Sequence, residues 1–557
     1  ALGAVVAALL AAGVFAATRG GADPGLRVAG DFARAWERGN HAEMHALLSA
    51  HGKRRASARR LARTYARIAE TATIERVATG TPVASGDGAY TVPVRLRTRI
   101  FGDVRGRVRI PVSGEADDGS LGVDWSSTMA FPGLRRGERL TRATELAPRA
   151  DILARDGTPL ADGPSRVSEL GALAAEIAGR LGPIPDDRRA AYARLGVPEG
   201  TSVGLTGLER EFDERLIGRP GGTLRAGERV LARAEPRQGS SVRTSIDPSL
   251  QAAAVEALAG RFGGVAVLRP QTGEVLALAG IAYSAPQPPG STFKIVTLAG
   301  ALEAGTVRRS ARFPEQTATT LEGVELENAN GEVCGGSLSY SFAESCNSVF
   351  APMGAKLGAE RLVAAAERFG FNERPSVRGA APSTIPDPGE IGDDLSLGSH
   401  AIGQGRTLAT PLQMASVAAT IAQGGRRVLP SLLRGGGDAK AVRATTPEVA
   451  RIIGRFMRRV VTEGTGTAAA IKGVKVAGKT GTAELRDTTK DPATGEDVAP
   501  GERAGHDPSD TDAWFTAYAP AGRPRVAVAV LLVGQGSGGE TAAPAARQVI
   551  QAALGPG

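Results

Sequence analysis

The sequence is poor in cysteine and in aromatic residues, and both shortages exclude classes of function. Only two cysteines, Cys334 and Cys346, occur in 557 residues, and neither resembles a metal ligand. Aromatic residues make up 4% of the chain and no RNA- or DNA-binding motif is present, so nucleic acid is not an expected partner despite a net charge of +9. A basic surface also suits anionic lipid head groups or wall polymers. We expect neither a cofactor nor a metal ion.

The length and the N-terminus predict several domains behind a membrane anchor. A chain of 557 residues is long enough for about three folded domains. Residues 1–19 form an apolar run that stays uncharged until Arg19. Because a bilayer span needs about 20 apolar residues, we interpret this run as part of a single anchor. The apolar region of a signal peptide and a buried helix are the alternatives.

A Pro-Gly-Ser-Thr-Phe-Lys stretch at 289–294 is the first candidate site. It follows two short apolar runs, 265–268 and 275–279, which flank a Pro/Gly turn and predict a β-hairpin. A helical pattern opens at Ser291, so the Lys294 amine, three residues on, can reach the serine hydroxyl. A desolvated lysine can act as the base that activates a serine nucleophile. Alone this motif is weak, because it more often marks a helix cap with a solvated lysine.

Two further motifs make the interpretation specific. Ser-Cys-Asn at 345–347 is predicted on the next apolar helical segment, and Lys-Thr-Gly-Thr at 479–482 at the end of a strand-like run, 474–477. Ser-x-x-Lys, Ser-x-Asn and Lys-Thr-Gly in this order are shared by class A β-lactamases and penicillin-binding proteins. The chain therefore resembles the penicillin-binding transpeptidases, well over residues 149–557 and loosely before them.

The resemblance implies a multidomain α+β fold. Residues 22–138, with helices followed by alternating strand patterns, resemble the NTF2-like cone of methicillin-resistance-type penicillin-binding proteins. Residues 139–241 resemble the pedestal, or dimerisation, domain. Residues 242–557 resemble the β-lactamase-like transpeptidase domain, in which we expect a five-stranded antiparallel sheet flanked by helices. Residues 1–19 are the partial anchor.

The resemblance also implies a role for each residue of the first two motifs. Ser291 attacks the carbonyl of the penultimate D-Ala of a peptidoglycan stem peptide, and Lys294 takes its proton, which requires a lowered lysine pKa. Ser345 relays the proton to the departing D-Ala amine. Asn347 holds Lys294 and the substrate amide, and Lys479 of the third motif is the neighbouring cation.

The rest of the third motif is implied to bind substrate. Thr480 and Thr482 donate hydroxyl hydrogen bonds to the terminal carboxylate, and Gly481 lets the substrate lie close to the strand. The oxyanion is expected between the backbone N–H groups of Ser291 and Thr482. A β-lactam acylates Ser291 as a strained mimic of the peptide.

The cysteine pair leaves two interpretations open. Cys334 and Cys346 lie close together in sequence, and outside the cytoplasm such a pair favours a disulfide. Two buried free thiols are the alternative, because a sequence does not give the separation of the Cα atoms.

The fate of the acyl-enzyme separates the candidate activities. Class A lactamases activate water with a glutamate between the second and third motifs, and no Glu-x-x-Leu-Asn segment occurs there. A long part, 1–241, precedes the catalytic domain and shows no glycosyltransferase-like region. A monofunctional class B transpeptidase is favoured over a D,D-carboxypeptidase or β-lactamase-type hydrolase, a β-lactam-sensing receptor and a catalytically silent penicillin-binding scaffold.

The resemblance finally implies partners and a location. The implied partners are stem peptides ending in D-Ala-D-Ala, β-lactam antibiotics, the membrane through the anchor, and a SEDS-type glycan polymerase. The implied location is the cell membrane, with a single span and the catalytic domain outside the cytoplasm.

Overall fold

The computed structural model describes residues 23–115, 121–436, 441–485 and 508–555. The predicted anchor, residues 1–19, lies outside these ranges. Along the described chain no helix is both long enough and apolar enough to cross a membrane. The chain divides into two compact units. The first takes the chain up to Ala147, Ile184–Thr201 and Gly218–Gln238, and the second takes Pro148–Pro183, Ser202–Ile217 and the chain from Gly239 onward.

The described chain contains both helices and strands throughout. The helices are α1 Pro24–Glu37, α2 His41–Ala46, α3 Ala50–Arg55, α4 Ala58–Ala72, α5 Ala172–Ala178, α6 Asp186–Leu195, α7 Gly207–Glu211, α8 Asp213–Leu216, α9 Pro248–Leu258, α10 Lys294–Glu303, α11 Leu338–Ala343, α12 Asn347–Leu357, α13 Ala359–Arg368, α14 Asp394–Ala401, α15 Pro411–Ala422, α16 Pro447–Glu463 and α17 Ala543–Leu554. The strands are β1 Ile74–Thr79, β2 Val83–Ala84, β3 Ala89–Thr98, β4 Gly102–Glu115, β5 Leu121–Val123, β6 Leu140–Glu145, β7 Ile152–Leu153, β8 Pro159–Ala161, β9 Leu181–Gly182, β10 Val203–Gly204, β11 Gly221–Ala226, β12 Arg229–Ala234, β13 Val242–Arg243, β14 Gly263–Leu268, β15 Val275–Gly280, β16 Arg312–Gln316, β17 Ala318–Leu321, β18 Val324–Glu327, β19 Cys334–Ser337, β20 Arg426–Val428, β21 Ala441–Arg443, β22 Ala477–Glu484, β23 Thr511–Ala519 and β24 Val526–Leu532.

In the first unit, helices cover one face of an antiparallel sheet. Strands β1, β3, β4 and β5 are neighbours in this order, and β2 pairs with β3. Val92, Val94 and Leu96 of β3 are buried while the residues between them point outward, which is the period-2 pattern of a half-buried strand. Trp36 of α1 and Tyr65 of α4 pack edge to face at 5.5 Å between ring centroids in the same core. The predicted α+β cone is confirmed.

The predicted pedestal, 139–241, contributes residues to both units. Its strands β6, β11 and β12 form an antiparallel sheet in the first unit, where Leu224 and Ala226 join the core. Strands β7, β8 and β13 form another sheet in the second unit.

A buried ion-pair cluster holds together the part of the pedestal in the second unit. Arg149 donates to Glu209 and to Asp213, each at 2.7 Å, and Arg166 donates to the other oxygen of Glu209 at 2.7 Å. The two carboxylate side chains are only 2% exposed, so each depends on these guanidinium groups for compensation.

The five-stranded antiparallel sheet of the second unit has the order β15-β14-β24-β23-β22. Val265 and Val267 of β14 face the core formed with α9 and α17, whereas Ala266 and Leu268 face the core on the opposite side. Because both faces are covered, the central strands β14 and β24 are apolar without interruption. The predicted hairpin and the predicted sheet with helices on both sides are confirmed, and β22 is an edge strand.

Candidate active site

The Ser291 turn lies directly against the edge strand β22. Ser291 is half-buried in a 3₁₀ helix, Gly290–Phe293, which leads into α10. Gly290 has a φ of +50°, and a Cβ at this position would lie 2.5 Å from the carbonyl oxygen of Thr482. Glycine therefore permits both the backbone conformation and the close approach to the strand. On its other side the Gly290 N–H donates to the carbonyl of Gly403 at 2.9 Å.

Lys294 is fully buried at the first position of α10. Its Nζ donates to the backbone carbonyl of Ser345 at 2.6 Å and to Oδ1 of Asn347 at 2.7 Å, and lies 3.4 Å from the Ser345 hydroxyl. Burial, together with the positive charge of Lys479, holds the pKa of Lys294 well below its usual range. Within the described part of the chain, no Lys294 hydrogen bond goes to Ser291 Oγ, which corrects the contact predicted from the spacing.

Ser345 lies in a helix-ending turn. Helix α11 closes with hydrogen bonds from the Ser345 N–H to the Phe342 carbonyl (3.3 Å) and from the Cys346 N–H to the Ser341 carbonyl (2.9 Å), which is the Schellman pattern. Ser345 occupies the left-handed position of this pattern, with a φ of +65°, where glycine is usual. A disulfide joins Cys346 to Cys334, with 5.5 Å between the Cα atoms.

Lys479 reaches the same serine from the edge strand. It is fully buried, and its Nζ donates to the Ser345 hydroxyl at 2.9 Å and to the Thr480 carbonyl at 3.0 Å. Burial lowers the pKa of Lys479 to about 7, and the negative charge of Glu344 partly opposes this shift. The Ser345 side chain thus lies between two lysines from different elements.

Aromatic rings form the floor beneath the two ammonium groups. Nζ of Lys294 lies 5.5 Å from the centroid of the Phe350 ring, and Nζ of Lys479 lies 5.6 Å from that of Phe342. The two rings pack edge to face at 5.9 Å. Because the face of an aromatic ring attracts a cation, this floor favours the charged form of each lysine while excluding water.

The other residues of the third motif line the strand beside the Ser291 turn. The Thr480 hydroxyl lies 2.6 Å from the hydroxyl of Thr465, which follows α16. Thr482 Oγ1 accepts a hydrogen bond from the N–H of Gly538 at 3.4 Å. A Cβ on Gly481 would lie 2.8 Å from the carbonyl oxygen of Pro289, so the strand and the turn approach each other as closely as their backbones allow.

Asn347 is held from both ends of its side chain. Its oxygen accepts from Lys294 and its Nδ2 donates to the carbonyl of Glu327 at 3.0 Å. The neighbouring Asn328, which is buried, accepts from the N–H of Ser348 at 2.9 Å and ties the same loop to the start of α12. Glu327 and Asn328 carry no catalytic signature in the sequence, and sequence analysis missed both.

Thr465 and the two phenylalanines were also missed. Phe342 and Phe350 look like ordinary core residues in the sequence. Thr465 stands in a Gly-Thr-Gly-Thr run that follows a helix pattern, which is a weak signal at most.

All three motifs lie in local structures that differ from those predicted. Ser345 is in the turn between α11 and α12 and not on a helix. The Lys-Thr-Gly-Thr motif lies inside β22, which begins only at Ala477, so the predicted strand 474–477 is wrong. The predicted helix opening at Ser291 is a 3₁₀ turn, and the α-helix runs over Lys294–Glu303. The three motifs nonetheless meet, because Lys294, Ser345, Asn347 and Lys479 form one hydrogen-bonded cluster.

Family models match three parts of the chain. The penicillin-binding protein transpeptidase domain matches residues 263–551, the penicillin-binding protein dimerisation domain matches 161–242, and the NTF2-like N-terminal transpeptidase domain matches 26–138. These matches confirm the resemblance inferred from the motifs.

Individual proteins show the same similarity. The peptidoglycan D,D-transpeptidase PbpA of Mycolicibacterium smegmatis is 34% identical over 446 residues, which cover 66% of this chain and 83% of that protein. Pseudomonas aeruginosa PBP2, solved in complex with WCK 5153, superposes with a TM-score of 0.61 at 26% identity, over 74% of this chain and 96% of the other. The penicillin G acyl-enzyme complex of penicillin-binding protein A from M. tuberculosis gives a TM-score of 0.55 at 28% identity, over 73% of this chain and 100% of the other.

Since the transpeptidase model alone spans more than half of the residues, the chain belongs to the penicillin-binding protein transpeptidase family.

Proposed function

We propose that this protein is a peptidoglycan D,D-transpeptidase that crosslinks stem peptides through an acyl-enzyme on Ser291. The observation that carries the proposal is the hydrogen-bonded cluster of Lys294, Ser345, Asn347 and Lys479 beside the Ser291 turn. A serine becomes a nucleophile when a neighbouring base takes its proton, and acyl transfer needs a second group that returns a proton to the leaving amine.

Lys294 is the proposed base. A neutral amine has two hydrogens and one lone pair, and the carbonyl oxygens of Ser345 and Asn347 accept both hydrogens. The lone pair is then left to receive the Ser291 proton. The lowered pKa of Lys294 supplies the neutral form at neutral pH. The hydrogen bond to Ser291 Oγ would form with substrate, since catalytic hydrogen bonds often tighten only in the Michaelis complex.

Ser345 is the proposed relay. Its hydroxyl oxygen accepts from Lys479, so its own hydrogen stays available for donation to the departing D-Ala amine. The distance of 3.4 Å from Lys294 Nζ allows the relay to be reprotonated from the base with a small movement. Asn347 keeps the base in place and presents an amide to the substrate.

The third motif is proposed to bind the terminal carboxylate. Lys479 contributes the charge, and a bound carboxylate would raise its pKa and stabilise the ammonium form. Thr480 and Thr482 contribute hydroxyl donors. A Cβ on Gly290 would lie 2.5 Å from the Thr482 carbonyl oxygen, and this close approach of turn and strand supports an oxyanion site between the N–H groups of Ser291 and Thr482, where one donor typically contributes about 3 kcal/mol.

The setting of the enzyme is part of the proposal. The assigned regions are an anchor at 1–19, an NTF2-like domain at 22–138, a pedestal at 139–241 and the catalytic domain at 242–557. The catalytic domain would lie outside the cytoplasm, and a SEDS-type polymerase would supply glycan strands. β-Lactams would acylate Ser291 in place of the stem peptide, as the M. tuberculosis relative was trapped with penicillin G.

Intact-mass spectrometry after incubation with penicillin tests the proposal. We expect one adduct on the wild type that persists for hours, no adduct on Ser291→Ala, and an unchanged adduct on Ser284→Ala, a matched change at an exposed serine on the approach to the motif. Rapid loss of the adduct with accumulating hydrolysed drug would instead indicate a carboxypeptidase or lactamase. If no adduct forms and a thioester stem-peptide analogue is not turned over, the protein is a silent scaffold.

A further inference from the structure

The outer face of the first unit's sheet is a continuous array of arginines. In β4 the sequence Val-Arg-Gly-Arg-Val-Arg places Arg105, Arg107 and Arg109 at every second position, so all three point to one side. The face is completed by arginines from β3, which pairs with β4, and from β1, which pairs with β3. We call this set the arginine face, and its members are Arg76, Arg95, Arg97, Arg105, Arg107 and Arg109, all exposed.

The registration of the strands brings like charges directly opposite each other. Arg95 of β3 is the partner of Arg105 of β4, and Arg97 of β3 is the partner of Arg76 of β1. Like charges at such positions destabilise a sheet. A surface that served solubility alone would intersperse charges of both signs.

One carboxylate offsets part of this charge. Asp103 forms an ion pair with Arg95, and the nearby charges of Arg97 and Arg105 add to a lowering of its pKa. Among the described ion pairs no other carboxylate joins the arginine face. Six guanidinium groups against one carboxylate leave a net charge of +5.

We propose that the arginine face is a binding site for a linear phosphodiester polyanion, separate from the transpeptidase site. Arg105 to Arg109 extend about 14 Å along β4, and the three strands extend about 10 Å across. A chain with one negative charge per repeat unit can neutralise such a row, whereas a small anion reaches one or two of its members. Guanidinium groups bind phosphate through two parallel hydrogen bonds.

The other exposed side chains favour a phosphodiester polymer without bases over a membrane or a nucleic acid. A membrane-surface element presents large apolar residues such as Trp, Phe or Leu, and single-stranded nucleic acid is held by aromatic stacking. The described exposed positions of β3 and β4 besides the arginines are Pro93, Gly102, Asp103, Ser113 and Gly114. None of them can insert into lipid or stack on a base, and the exposed apolar residues of the flanking strands, Val83 of β2 and Leu121 of β5, include no aromatic ring, so charge dominates the recognition of the ligand.

The test uses the full chain in neutral detergent and fluorescent poly(glycerol phosphate). The variant Arg105→Gln, Arg107→Gln, Arg109→Gln is compared with Arg59→Gln, Arg63→Gln, Arg67→Gln, which removes the same charge from exposed positions of α4. That helix packs in the core on the opposite face of the sheet. We expect the wild type to bind with an affinity that falls steeply with salt. We expect the sheet variant to lose about 2 units of the slope of log K against log salt concentration, since each lost contact removes roughly 0.7. The helix variant should keep the wild-type slope.

Each other outcome overturns the inference. Equal losses in the two variants would mean that net charge alone attracts the polymer. If phosphatidylglycerol vesicles bind the wild type more tightly than the polymer does, and if this binding depends on the three β4 arginines in the same way, the arginine face is a membrane-binding surface instead. Absence of polymer binding at low salt would exclude a polyanion site. A thermal unfolding profile that matches the wild type shows that each variant is folded, and because this control does not use Ser291, the test is independent of the proposed function.

Discussion

The Cys334–Cys346 disulfide should hold the catalytic serine turn in place as well as stabilise the fold. The bond closes a short loop between cysteines 12 positions apart, and this loop contains Ser345. The perturbation is the double variant Cys334→Ala and Cys346→Ala. Alanine is chosen because both sites are buried, and a serine hydroxyl would add a buried polar group without a partner.

The magnitude follows from the size of the loop. Releasing a closed loop of about a dozen residues returns roughly 3 kcal/mol of chain entropy to the unfolded state. For a domain of this size, that loss lowers the midpoint of thermal unfolding by roughly 6 to 10 °C. Differential scanning calorimetry of the wild type and the double variant measures this shift.

The catalytic effect is expected to be larger. The Ser345 carbonyl accepts a hydrogen bond from Lys294 and its hydroxyl accepts one from Lys479, so a shift of the turn disturbs both lysines together. Because a misplacement of about 1 Å at a reacting group costs up to about 100-fold in rate, we expect penicillin acylation to slow by roughly 10- to 100-fold. Fluorescent penicillin labelling over time gives the rate.

Two comparisons refute or support this reasoning. Wild type treated with a phosphine reductant should match the double variant, and the double variant should not respond to the reductant. If the variant melts earlier but acylates at the wild-type rate, the disulfide stabilises the domain without positioning Ser345. If both quantities are unchanged, the reasoning from loop entropy fails as well.

The remaining predictions concern charge and single contacts. Acylation should follow a bell-shaped pH profile. At low pH Lys294 is protonated and ceases to be a base, and at higher pH Lys479, with a pKa of about 7, loses the charge that binds the carboxylate. A rate that does not vary across the neutral range would contradict this prediction. Thr465→Val removes the 2.6 Å contact to the Thr480 hydroxyl. Since one hydrogen bond contributes about 1 kcal/mol, initial β-lactam binding should weaken roughly fivefold while the acylation step keeps its rate. Stopped-flow kinetics measure the binding step and the acylation step separately. Glu209→Ala leaves the buried Arg166 guanidinium without a carboxylate and Arg149 with Asp213 alone, and it should cost about 3–5 kcal/mol in urea-induced unfolding, whereas an ordinary surface loss of below 1 kcal/mol would show that the cluster is solvated.

The catalytic core of the fold was predictable because its signals are local. The hairpin at 265–268 and 275–279 and the long apolar strand before the last helix are runs whose length and flanking turns identify them. They stay apolar because both faces of the sheet are covered, which removes the alternation that a one-sided sheet would show. The order of the three motifs then sufficed for the family.

The details of the site were not predictable, because they depend on contacts between distant segments. The spacing of Ser291 and Lys294 fits hydrogen bonding along one helix, but Lys294 is turned toward Ser345 and Asn347, which lie more than fifty positions later. The third motif looked like the end of a strand because 474–477 is more apolar than 479–482. Pairing with β23, and not hydrophobicity, sets where β22 begins.

The position of Ser345 explains why the second motif misled helix prediction and why its structure is useful. The left-handed position that ends a helix is normally glycine, and a serine there costs about 1–3 kcal/mol of backbone strain. A glycine would remove the strain but also the hydroxyl that Lys479 and Lys294 approach. The strain is tolerated because separate elements hold the turn, namely the closing hydrogen bonds of α11, the disulfide, and the two lysines. In return, a helix-ending turn directs both the carbonyl and the hydroxyl of one residue toward the lysines, which a residue inside a helix could not do, since its carbonyl would be engaged in the helix.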